Sequence, residues 1–164
     1  MSRKVASCGI LVALAMIFSY VEVLIPISFG IPGMKLGVAN LVVVAGLCFL
    51  KPREVLVISV IRILLMSWMF GNGMSLIYSL AGGLLSFMVM VIIKEKFGFG
   101  IIGVSIAGGV SHNVGQLLAA ACVVQNTKIL YYFPVLLIAG VITGALIGTL
   151  AGKIPIKKLM VVNG

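Results

Sequence analysis

The chain has 164 residues, of which 62% are hydrophobic and only 9% charged, and its mean hydropathy is +1.32. A soluble domain carries about a quarter of its residues as charges, so this chain cannot cover a globule with polar side chains and reads as an integral membrane protein. The formal net charge of +9 does not call for a nucleic-acid partner, because the basic residues fall in short breaks between apolar runs, where they act as topology signals.

Long apolar runs separated by short polar breaks favour helices over the alternating strands of a β-barrel. The expected fold is therefore an all-α integral membrane protein, a single bundle of six transmembrane helices over residues 1–164. The first span runs from Val5 to Ile25 and stops at Pro26; it is long enough to cross a bilayer and reads as a retained helix, not a cleaved signal peptide. The connection from Pro26 to Met34 is unusually apolar for a loop and reads as lying on, or folding into, the protein. The second span, Lys35 to Leu50, is short at sixteen residues. The third ends near Phe70 at the tight-turn sequence Gly71-Asn72-Gly73. The fourth covers Ser75 to Ile93, the fifth Gly100 to Val124 and the sixth Leu130 to Ala151. Gly140, Gly144 and Gly148 recur at every fourth position of the sixth span and predict a close helix-packing face.

Orientation follows from the basic residues. With the N-terminus inside, nine of them (Arg3, Lys4, Lys51, Arg53, Lys94, Lys96, Lys153, Lys157 and Lys158) lie on the cytoplasmic side, and two, Lys35 and Lys128, lie outside. This bias places both termini in the cytoplasm and the apolar connection on the outer face.

The residues for most catalytic chemistry are missing. The chain has no aspartate, and its acids are Glu22, Glu54 and Glu95. That leaves no carboxylate pair for general acid–base work and no aspartate-rich magnesium site for diphosphate chemistry. No Walker-type phosphate loop is present, so ATP hydrolysis would belong to another chain. Cys8, Cys48 and Cys122 lie far apart in apolar runs and do not have metal-ligand spacing. The chain is expected to be no enzyme by itself and to carry no metal or cofactor of its own.

Polar groups at membrane depth are the remaining candidates. Ser105-Ile-Ala-Gly108-Gly109-Val-Ser111-His112-Asn113-Val-Gly115-Gln116 holds the only histidine. His112 and Gln116 are four apart and Asn113 and Gln116 three apart, which puts them on one flank of a helix as a polar cavity wall. The preceding small residues leave room for another backbone to approach. Arg62 sits in mid-span, where an isolated charge costs about 2.5–3.5 kcal/mol on insertion scales, so it faces a cavity or a partner such as Glu22. Lys35 opens the second span at the outer rim, with Asn40 about one and a half turns deeper. Lys35, Asn40, Arg62, His112, Asn113 and Gln116 form the candidate binding set, with a surplus of positive charge suited to an anionic or electron-rich solute. On the first helix, Ser2, Ala6, Gly9 and Ala13 are small residues on successive turns and form a candidate docking face.

Pro32-Gly-Met-Lys-Leu-Gly-Val-Ala-Asn40, the Gly82-Gly83 span and Ser111-His-Asn-Val-Gly-Gln116 together resemble the Gx transporter family of small membrane proteins, also described as heptaprenyl diphosphate synthase component I. That family is similar to the substrate-binding S components of energy-coupling factor transporters, importers of vitamins driven by ATPases. The resemblance implies a subunit of a bacterial cytoplasmic membrane with six helices and an outward-facing pocket for a small vitamin- or cofactor-like solute. It further implies a coupling transmembrane subunit, docked on helix 1, and ATPase subunits as partners. S components carry Ala-x-x-x-Ala on helix 1, where this chain has Ser2/Ala6 and Gly9/Ala13. Two alternatives accompany the resemblance: a membrane subunit of a flavin- or quinone-linked electron-transfer system, and a non-catalytic component of a heptaprenyl diphosphate synthase.

The charge bias generates a direct test of topology. A cysteine introduced at Ser28 should react with an impermeant thiol reagent added to intact cells, and one introduced at Asn163 should not. The reverse labelling pattern would invert every placement above.

Overall fold

The structure, a computed structural model, describes residues 2–24 and 37–153, with side chains from residue 6 onward. The apolar connection Pro26–Met34, Lys35 and the side chain of Ser2 lie outside the described residues. Among the described residues six α-helices follow one another: α1 (Ser2–Leu24), α2 (Asn40–Phe49), α3 (Pro52–Phe70), α4 (Gly73–Phe97), α5 (Ile101–Val124) and α6 (Phe133–Lys153). A short 3-10 helix, Thr127–Tyr132, leads into α6. Four of these segments are long and apolar enough to cross a membrane: Ala6–Leu24, Gly73–Phe97, Ile101–Val124 and Thr127–Lys153. The protein is an all-helical, multi-pass membrane protein.

The helix ends follow from local chemistry. Pro52 opens α3, where a missing N–H costs nothing, and the backbone N–H of Lys51 donates to Glu54 Oε2 at 3.1 Å. Asn72 caps α4 by accepting from the N–H of Ser75 at 2.9 Å. Gly98, at φ +65°, ends α4 in the left-handed region that glycine enters without strain.

The second helix is shorter than its sequence run suggests. The sixteen-residue span expected from Lys35 to Leu50 holds a helix of ten residues, Asn40–Phe49. Gly37 takes a left-handed φ of +81°, and Val38 and Ala39 form a turn before the helix begins. Ten residues rise about 15 Å, half of a hydrocarbon core about 30 Å thick. Asn40 through Leu47 are all buried, and α2 packs against each of the other five helices. A helix apolar on every side belongs inside a bundle. This one is the bundle's core.

The long helices turn one face inward. On α3 the buried residues are Val55, Ile58, Ser59, Arg62, Ile63, Met66 and Ser67, a three-four spacing that defines a single stripe. On α1, Leu11, Ala15, Ser19 and Glu22 are buried, while Ala6, Gly9 and Ala13 on the opposite side are exposed.

The closest packing joins α4, α5 and α6. A Cβ at Gly109 would lie 2.5 Å from the Gly140 carbonyl oxygen, and one at Gly144 would lie 2.6 Å from the Cα of Ile106. A Cβ at Gly148 would stand 2.8 Å from the Cα of Ile102, and one at Gly115 would stand 2.7 Å from the Ala81 carbonyl oxygen. The glycine stripe of the sixth span is thus a backbone-to-backbone seam. Lipid tails are as apolar as leucine, so such seams hold by dispersion contacts between helices brought close together.

The seam predicts the response to a single methyl group. Gly144→Ala must push two backbones apart and should destabilise the bundle by about 1–3 kcal/mol. Gly152→Ala, whose nearest neighbour would be an ordinary 3.7 Å away, should leave stability unchanged or raise it. Melting of the two variants in one detergent checks the pair; equal losses would mean that the seam is not tightly packed.

Candidate functional site

The N-terminal end of α2 lies where several polar side chains converge. Gly37 is the pivot. Its backbone N–H donates to Glu22 Oε1 of α1 at 2.6 Å, and its carbonyl accepts from the N–H of Asn40 at 2.8 Å. A Cβ here would meet His112 Cδ2 at 3.0 Å. Both the left-handed backbone and the imidazole beside it therefore demand glycine.

Arg62 enters from the inward stripe of α3 and is buried. One terminal nitrogen donates to Ser19 Oγ of α1 at 3.0 Å. Its Nε finds no hydrogen-bond partner among the described residues, and neither does Ser67 Oγ, just over one turn further along α3. Glu22, 9% exposed, attracts the guanidinium electrostatically. Glu22, Gly37, Arg62, Ile63, Met66, Ser67, Ser79 and His112 line one cleft. Its free volume is about 10 Å³, room for one water molecule or for the polar tip of something larger.

The far wall comes from α5. Gln116 Nε2 lies 3.1 Å from His112 Nε2, as the four-residue spacing leads one to expect. Gly82 of α4 makes room for this pair, since a Cβ there would stand 2.7 Å from Gln116 Cγ and 2.7 Å from the His112 carbonyl oxygen. Asn40 lies beside Gly37 but directs its amide into the bundle, toward Ser86 Oγ at 3.5 Å. Ser86 Oγ in turn donates to the Gly108 carbonyl at 2.8 Å. Asn113 turns away from the cleft: its amide donates to the Leu136 carbonyl of α6 at 2.8 Å. Adjacent helical residues diverge by about 100°, so Asn113 clamps α5 to α6 while His112 faces α4.

Of the six residues singled out in the sequence, Arg62 and His112 thus share the cleft, with Gln116 behind His112 and Asn40 below Gly37. Asn113 lies elsewhere, and Lys35 falls outside the described residues. Glu22 entered the sequence reading only as a partner for Arg62, and Ser19, Ser67 and Ser79 did not enter it. A signal was present for some of these. Ser19 and Glu22 are a polar pair three apart in an apolar helix, and Ser75, Ser79, Gly82 and Ser86 form a small polar stripe along α4. Among the described residues no three His, Cys, Asp or Glu side chains come together as a metal site would need.

No curated protein and no solved structure matches the chain. The family model described as heptaprenyl diphosphate synthase component I matches residues 11–154, nearly the whole chain and every residue that lines the cleft. The chain therefore belongs to the heptaprenyl diphosphate synthase component I family.

Proposed function

We propose that this chain is the solute-binding, non-catalytic membrane subunit of a larger transport assembly. One observation carries the reading: Arg62 Nε and Ser67 Oγ are buried, without partners among the described residues, around a cleft that also holds Glu22 and His112. Polar groups at membrane depth are costly unless they meet a partner or serve a site. A purely structural cluster would be expected to satisfy its members internally. In this reading six helices form the bundle in a bacterial cytoplasmic membrane, both termini are cytoplasmic, and α2 is an inner half-span. The solute is captured from outside, and import is driven by a coupling transmembrane subunit with ATPase subunits. His112, with Gln116 behind it, completes the wall, Asn40 lies below Gly37, and Asn113 holds α5 to α6; Lys35, expected from the sequence at the outer rim, lies outside the described residues.

The exposed side of α1 supports a partner. Gly9 has nothing within 4 Å of a built Cβ, and Ala6, Gly9 and Ala13 lie opposite the stripe that faces the bundle. They offer a strip along which another helix can approach closely; Ser2, expected from the sequence on the same face, has its side chain outside the described residues.

The family's description favours a second reading, in which the same chain is the membrane component of a heptaprenyl diphosphate synthase. Because the chain lacks aspartate, the metal-dependent diphosphate chemistry would then belong to the partner. Affinity purification of the tagged chain from native membranes separates the two. Co-purifying ATPases support the transport reading, and a co-purifying prenyl synthase chain supports the second.

The docking strip adds a sharper test. Gly9→Leu with Ala13→Leu should abolish co-purification of the partner and leave the melting temperature of the isolated bundle within a few degrees of wild type. A bundle that no longer folds would show that the strip is internal packing, contrary to the proposal.

A further inference from the structure

The cleft's charges narrow what can enter it, provided that it is the solute site proposed above. Two features at this end of α2 would attract an anion: the guanidinium of Arg62 and the positive end of a helix dipole. Glu22 answers both. It accepts the N–H of Gly37, just ahead of α2, at 2.6 Å, and it lines the same cleft as Arg62 and attracts that charge. The place an anionic ligand would occupy already has a carboxylate beside it. In a medium of low dielectric constant, a second negative charge next to Glu22 is strongly disfavoured. A cation would meet the same objection from Arg62.

Size points the same way. A free volume of about 10 Å³ holds one water-sized polar group. The atoms that await a partner are an N–H donor, Arg62 Nε, and a hydroxyl, Ser67 Oγ, which can donate or accept. Beside them stand the hydroxyl of Ser79 and the carboxylate of Glu22.

From this arrangement we infer that the cleft recognises an uncharged polar group that both accepts and donates a hydrogen bond, a hydroxyl or the edge of a cyclic amide or imide. The acceptor atom of that group meets Arg62, and its proton is directed to Glu22 or a serine hydroxyl. Any phosphate or carboxylate elsewhere on the solute stays outside the cleft. The expectation of an anionic ligand counted Lys35 with Arg62; Lys35 lies outside the described residues, and the cleft as described sets one cation, Arg62, against one carboxylate, Glu22.

Thermal melting of the full-length chain in lipid nanodiscs tests this with four probes of known chemistry: uracil and ribitol as uncharged donor–acceptor molecules, pyrophosphate and succinate as anions. The inference predicts that uracil or ribitol raises the melting temperature in a saturable way and that neither anion does. Arg62→Gln and Glu22→Gln should each weaken the effective neutral probe tenfold or more. Saturable stabilisation by pyrophosphate or succinate, stronger still in Glu22→Gln, would overturn the inference and leave the solute-binding reading standing. No saturable shift with any of the four would count against both. Because the ranking of probes is read on the wild-type chain, the test holds even where a variant fails to fold.

Discussion

A backbone amide or carbonyl in hydrocarbon must find its partner within the protein, and this constraint shapes the molecule around α2. A helix of ten residues cannot cross a bilayer, so at least one of its ends would be left unsatisfied at depth if lipid surrounded it. The bundle supplies the missing partners. At the far end the N–H of Leu50 donates to the Gly46 carbonyl, and Lys94 reaches across from α4 to donate to the Leu47 carbonyl, a cation suited to a helix C-terminus. At the near end the turn through Gly37 closes the first hydrogen bonds, and Glu22 takes the N–H of Gly37 itself. The polar cleft is built on the second of these solutions.

Holding such a cleft in place requires rigid walls, and the glycine seams provide them. Gly109, Gly140 and Gly144 bring α5 and α6 into backbone contact, and Gly82 with Gly115 does the same for α4 and α5. His112 and Gln116 project from the middle of this three-helix layer, and Arg62 and Ser67 face them from α3. Glu22 and Ser19 close the set from α1. Four long helices, together with the turn leading into α2, contribute to the cleft.

Part of this was legible in the sequence for physical reasons. Glycines spaced by four residues in an apolar helix suit a close helix contact, so the α6 stripe marks its partner face in the sequence itself. Arg62 could not point into lipid, and the three-four pattern of its neighbours on α3 fixed the direction it takes. The start of α2 was not legible. The run from Lys35 is apolar and reads as continuous helix, whereas the left-handed φ of Gly37 goes with the packing of His112, a residue far away in the chain. Asn113 was grouped with its neighbour His112, yet a step of about 100° around the helix axis hands it to α6. Ser67 and Ser79 gave little signal because a serine in a helix commonly bonds to its own preceding turn. Their significance comes from lining one cleft with Arg62.

On the reading proposed above, the Arg62 cleft binds a small molecule. Native mass spectrometry of the detergent-purified chain, compared with Arg62→Gln purified in parallel, tests it most directly. A small-molecule adduct should appear on the wild-type chain and be lost from the folded variant. An adduct of the same mass, retained equally by both proteins, would contradict it.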